Sequence, residues 1–135
     1  MRRALSLLLA GLAVAAAPAA AAKPATGEAR LARAIEGRIA GEPTDCIDLR
    51  DIRSSRIIAD TAIVYEGPGN VLWVNRPRSG ASSLDSWDVL VTNTHSSRLC
   101  SIDVVRLYDT AARMQTGFVF LGDFVPYKKV RPAAR

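Results

Sequence analysis

Thr61-Ala62-Ile63-Val64-Tyr65-Glu66, then Gly67-Pro68-Gly69-Asn70, then Val71-Leu72-Trp73-Val74-Asn75-Arg76: this stretch decides the fold class. Two short runs rich in β-branched and aromatic residues flank a cluster of turn formers, which is the pattern of an antiparallel hairpin. Proline presets its own φ at the second turn position, and glycine accepts a positive φ at the third. Gly67 to Asn70 therefore predict a type II turn.

The same short period continues on both sides of the hairpin. Upstream, Cys46 to Leu49 and Arg56 to Ile58 read as strands around a polar Arg-Asp-Ile-Arg-Ser-Ser segment. Downstream, Ser79 to Ser86 reads as a loop. Trp87 to Thr92 then alternates Trp87, Val89 and Val91 against Asp88, Leu90 and Thr92, which predicts a strand with the first set on one face. Asn93 to Arg98 turns the chain, and Leu99 to Tyr108 resumes it with Cys100, Ile102 and Val104 on one side. A last strand spans Phe118 to Leu121, followed by Gly122 and the tail. Only Glu28 to Ala40 has a helical period, with Leu31, Ala34, Ile35 and Ile39 on one face, and Gly41 and Pro43 end it. The expected fold is mainly β (α+β): a short N-terminal helix packed on a small curled antiparallel sheet or barrel of about five or six strands.

At the N-terminus, Met1-Arg2-Arg3 is followed by an apolar run from Ala4 to Ala17, a helix-breaking Pro18 and an Ala-x-Ala site at Ala20-Ala21-Ala22. This is the layout of a cleavable secretory signal over residues 1–22, and the run is short for a bilayer span. The expected organisation is a signal peptide at 1–22, a flexible mature N-terminus at 23–27, one small domain at 28–130 and a basic tail at 131–135. Expected localisation is periplasmic or secreted, with no membrane span after cleavage. Arg2 and Arg3 carry two of the net +5 charges, so the mature chain is less basic than the whole sequence and nucleic acid is a disfavoured partner. Cys46 and Cys100, the two cysteines of the chain, are expected to pair in an oxidising compartment. Closing a loop of 54 residues stabilises a fold by about 4 kcal/mol in the chain-entropy picture, which ignores native strain.

Several short motifs accompany this pattern: Cys46-Ile47, Arg56-Ile57-Ile58-Ala59-Asp60, Val74-Asn75-Arg76-Pro77, Leu99-Cys100-Ser101-Ile102-Asp103 and Leu121-Gly122-Asp123-Phe124-Val125-Pro126-Tyr127. Together they resemble a group of small exported bacterial proteins of unknown function, over most of the chain from residue 43 to 130. Members of that group often carry two further cysteines, near Ser83 and Phe118 of this sequence. Their joint absence here fits the loss of one bridge and retention of Cys46 to Cys100. The resemblance implies a fold and a compartment, and no catalytic residue.

Chemistry is sparse. His95, the sole histidine, lies in the polar turn Thr94-His95-Ser96-Ser97, where exposure is the ordinary outcome, and no GxSxG accompanies the serines. Asp48, Asp51, Asp103 and Asp109 flank strand ends as turn caps would. No CxxC, calcium-loop or phosphate-loop pattern is present, so no metal or cofactor is expected. Trp73, Trp87, Tyr65, Tyr108 and Tyr127, with Arg76 and Arg78, could form an aromatic and basic face, although so small a domain needs its tryptophans as core. Asn75, Arg76 and Arg78 are the expected exposed binding patch, because Pro77 ends the strand beside them. The leading function is a non-enzymatic binding or structural protein of the cell envelope whose partner is an envelope protein or polymer. The alternatives are a small hydrolase using His95 and a polyanion-binding module.

Overall fold

The computed structural model describes residues 23–131; the segment read as an export signal and the last four residues of the tail lie outside them. The described residues form one α-helix, α1 (Gly27–Ala34), and ten strands: β1 (Arg38–Ala40), β2 (Cys46–Asp48), β3 (Ser54–Ile58), β4 (Ala62–Glu66), β5 (Leu72–Asn75), β6 (Val89–Thr92), β7 (Arg98–Cys100), β8 (Val104–Asp109), β9 (Met114–Phe120) and β10 (Phe124–Lys129). They make three antiparallel sheets, ordered β1-β10-β5-β4-β3, β2-β7 and β6-β8-β9. The mainly β expectation holds. There are more strands than expected, and among the described residues they do not close into a barrel.

The hairpin of β4 and β5 forms with Tyr65 opposite Trp73 and Val64 opposite Val74. Its turn differs from the type II expectation. Gly69 (φ 67°) and Asn70 (φ 57°) are both left-handed, and Val71 N–H donates to Pro68 C=O at 3.4 Å. Two successive positive φ values mark a type I′ turn, whose twist matches that of the flanking strands.

Because β residues alternate faces, the five-stranded sheet presents two apolar surfaces. On one, Ile58, Ala62, Val64, Leu72 and Val74 pack beneath Leu31, with Ile35 and Tyr127 at the margin. Thr26 Oγ1 caps α1 by accepting from Ala29 N–H at 3.2 Å. The helix ends at Ala34, short of the expected Ala40. Gly37 turns the chain with φ +70°, and Arg38 to Ala40 pair with β10 instead. On the other surface, Ile57, Ile63, Tyr65 and Phe124 meet Val105, Leu107 and Val119 of the three-stranded sheet and Leu121 just beyond it, with Ile47 and Leu99 between. This intersheet layer is the main core.

The sequence reading ended its last strand at Leu121, whereas the chain forms one more, β10, although Pro126 disfavours an interior strand. It fits between β1 and β5 for a local reason. Pro126 C=O accepts from Gly41 N–H at 2.7 Å, so its ring nitrogen, on the same side of the strand, faces the point where β1 has ended.

The expected strand from Leu99 to Tyr108 is broken. Asp103 N–H donates to Cys100 C=O at 2.9 Å while its carboxylate accepts from Cys100 N–H at 2.7 Å. That tight turn leaves Ile102 exposed at its tip. The alternation in β6 and β8 left the inward face undecided: Leu90, Val105 and Leu107 point to the core, and Val89, Val91 and Val104 point out. Trp87, expected as core, is 88% exposed, whereas Trp73 packs at the edge of the core as expected.

Candidate functional site

The expected patch at Asn75, Arg76 and Arg78 is a structural corner. Asn75 is fully buried at the end of β5. Its Nδ2 donates to Gly122 C=O at 2.6 Å, and its Oδ1 accepts from Gly122 N–H at 3.1 Å. Gly122 has no room for a side chain, since a Cβ there would lie 2.4 Å from Arg76 C=O. Arg78 donates to Leu121 C=O at 2.8 Å and to Ser101 C=O at 2.7 Å, which clamps the β9–β10 turn to the turn before β8. Arg76 reaches Glu28 of α1 with bonds of 2.7 and 3.0 Å to its two oxygens. Those bonds hold the Glu28 carboxyl below the usual carboxylate range and raise Arg76. Asn75 is therefore inaccessible to a ligand, and both guanidiniums already have partners within the fold.

Among the described residues, His95 is exposed in the bend before β7 and takes part in no hydrogen bond that would orient it as a base. The carboxylates act locally. Asp48 accepts from Arg50 N–H at 3.0 Å, and the Arg50 side chain keeps its carboxyl below the ordinary range. Asp109 accepts from Ala111 and Ala112 N–H at 2.7 and 3.0 Å. No group of three or more His, Cys, Asp or Glu among the described residues could hold a metal ion. The aromatic residues are not brought to one surface: Tyr65 is buried against Phe124, Trp73 belongs to the intersheet core, Tyr127 borders the helix layer and Trp87 stands in solvent.

Cys46 and Cys100 form a disulfide. They face each other across β2 and β7 with Cα atoms 4.0 Å apart. Because Cys100 N–H is engaged by Asp103, the two residues are a non-hydrogen-bonded pair, the position at which antiparallel strands approach most closely. Among the described residues no helix is long and apolar enough to cross a membrane.

What the structure does bring together is the outer face of the three-stranded sheet. The register sets Val91, Arg106 and Phe118 in one row, Val104 and Phe120 in the next, and Val89, Tyr108 and Gln115 in the row on the other side. Val89, Val91, Val104, Phe118 and Phe120 are each 38 to 50% exposed. The rings of Phe118 and Phe120 meet edge to face with centroids 5.7 Å apart. A depression of about 360 Å³ opens between Val91, Arg106, Tyr108 and Gln115. At one end β9 carries a bulge: Leu107 pairs with Gly117 and Tyr108 with Gln115, so Thr116 is the extra residue. Its hydroxyl donates to the Asp88 carboxylate. There Trp87 stands over a second hollow with Asp85, Asp88 and Asp109.

Arg106 occupies the middle of this face. It is exposed, and the two ion pairs among the described residues, Arg50–Asp48 and Arg76–Glu28, leave it without a carboxylate. The sequence held a signal for this surface that alternation concealed. Val89-Leu90-Val91, Val104-Val105 and Phe118-Val119-Phe120-Leu121 are continuous apolar runs, which belong to strands covered on both faces. Here only one face is covered among the described residues. No family model, curated protein or solved structure matches the chain.

Proposed function

We propose that the chain is an exported, non-enzymatic binding domain of the cell envelope that holds a protein partner on the outer face of β6, β8 and β9. The observation that carries this is the bare apolar face itself. Five partly exposed aliphatic and aromatic side chains amount to on the order of 400 Å², a scale at which apolar patches on small domains serve contact. The export signal read at residues 1–22, the Cys46–Cys100 bridge and the resemblance to small exported bacterial proteins support the compartment.

Photo-crosslinking in a bacterium that exports the full chain tests this. A crosslinking aromatic amino acid placed at Phe118 or Val91 yields a discrete protein adduct, and the same group at Arg30 on α1 does not. Adding Val91→Asp to a probe at Phe118 removes the adduct. An identical adduct pattern from Arg30, or none from the sheet, would sink the proposal.

A further inference from the structure

From the way the molecule covers its other outer face, we infer that the partner element seated on β6, β8 and β9 is an amphipathic helix carrying a carboxylate for Arg106. This rests on the binding role proposed above and specifies its chemistry. On the five-stranded sheet, an apolar surface ending in the exposed Arg76 is covered by α1, which supplies Leu31 to the apolar residues and Glu28 to the guanidinium. The three-stranded sheet repeats those ingredients without the cover. Val89, Val91, Val104, Phe118 and Phe120 surround Arg106, which has neither an ion pair nor a hydrogen bond from its side chain among the described residues.

Dimensions favour a helix. Three strands spaced about 4.8 Å apart present a face roughly 10 Å wide, the width of one α-helix. β8 runs for 6 residues, about 20 Å, which a helix of about 13 residues spans. An extended segment added to the β6 edge would lengthen the sheet and leave this face bare. A second copy stacked face to face about a two-fold axis would set Arg106 near Arg106, a like-charge contact. An anionic bilayer would meet Asp85, Asp88 and Asp109 around Trp87 at one end of the face. A carboxylate between apolar side chains on a helix satisfies Arg106 while covering its neighbours, and the net positive charge that remains once Arg2 and Arg3 leave with the export signal favours an acidic partner at long range.

The test uses two designed helical peptides of about 14 residues with the same leucine stripe, one flanked by glutamates and the other by lysines, titrated into the purified protein. Binding is followed by Trp emission and by backbone amide shifts. The acidic peptide binds at least tenfold more tightly than the basic one, shifts the amides of Val91, Arg106 and Phe118, and blue-shifts Trp emission. Arg106→Glu, checked by circular dichroism for an unchanged fold, reverses the preference. Arg106→Lys retains it.

Equal affinities, binding of neither peptide, or an acidic preference that survives Arg106→Glu overturns the helix assignment. So does tighter association with phosphatidylglycerol vesicles than with the acidic peptide, or a dimer in sedimentation that Phe118→Asp dissolves. If the Phe118 crosslink to an envelope protein persists while the peptides fail, only the helical, acidic chemistry falls. If that crosslink is absent too, the binding role falls with it.

Discussion

On the outer face of the five-stranded sheet, Ile58, Val64, Leu72 and Val74 lie beneath Leu31 of α1 and Ile35 just after it, and Arg76 meets Glu28. On the outer face of the three-stranded sheet, Val89, Val91, Val104, Phe118 and Phe120 surround Arg106, and nothing among the described residues lies over them. The side chains are of the same kind, so composition does not distinguish a surface that stabilises the fold from one left for contact. The distinction comes from what the chain folds back over each sheet. The covered face contributes nearly its full burial to folding, whereas the bare face, its side chains 38 to 50% exposed, contributes only part until something sits on it.

That contrast can be broken most sharply with two phenylalanines. Phe124, fully buried between the sheets, costs about 3–5 kcal/mol when replaced by alanine. Phe118, half exposed on the bare face and stacked edge to face on Phe120, costs about 1 kcal/mol on the same substitution. Urea unfolding of the two variants reads both values, and comparable losses would mean that the outer face is integral to the fold.

Next in size is the bridge. Replacing Cys46 and Cys100 together with alanine costs about 2–4 kcal/mol. Because β7 leads directly into the turn before β8, amide exchange accelerates more in β6, β8 and β9 than in β4 and β5. Uniform acceleration would show that the two sheets open as one unit.

A smaller effect comes from the corner that ties the sheets together. Asn75→Ala strands the N–H and C=O of Gly122 in a buried site and costs about 1–3 kcal/mol, with Asn75→Asp no better because its carboxylate cannot donate to Gly122 C=O. Stability retained in full by Asn75→Ala would contradict that clasp.

The smallest involves Tyr65, whose hydroxyl lies in the intersheet core with no hydrogen-bond partner among the described residues and whose burial pushes its pKa above the ordinary tyrosine range. Tyr65→Phe leaves stability at neutral pH unchanged or raises it by about 1 kcal/mol. The unfolded chain releases this proton near pH 10 while the folded chain retains it. The Tyr65 contribution is therefore fully present below that pH and declines as pH rises toward the raised folded value. Tyr65→Phe removes that part of the alkaline loss, so the gap between the variant and the parent in chemical denaturation widens above about pH 10; parallel curves would show a solvated hydroxyl.

The β4–β5 hairpin, the start of α1, the mostly β body and the pairing of two cysteines were legible in the residues, because each depends on local chemistry or on compartment. In the patch at Asn75, Arg76 and Arg78, the two arginines are exposed as expected and Asn75 is buried instead. Proline at position 77 signals a strand end, but only the docking of the Gly122 turn decides that Asn75 closes inward and that Arg78 spans two turns. The candidate surface was missed because alternation grouped Trp87, Val89 and Val91 on one face without deciding which face turns inward, and Leu90 is the member of β6 that packs against the core.

By itself, then, the sequence determined that this chain builds antiparallel strands with a short helix packed on them and carries a cysteine pair, since turn formers, apolar period and thiol count act over short distances. Tertiary structure alone decided which face of β6, β8 and β9 turns inward. A period of two is satisfied equally well by either facing, and the choice falls to the surface that meets Tyr65 and Phe124 across the core.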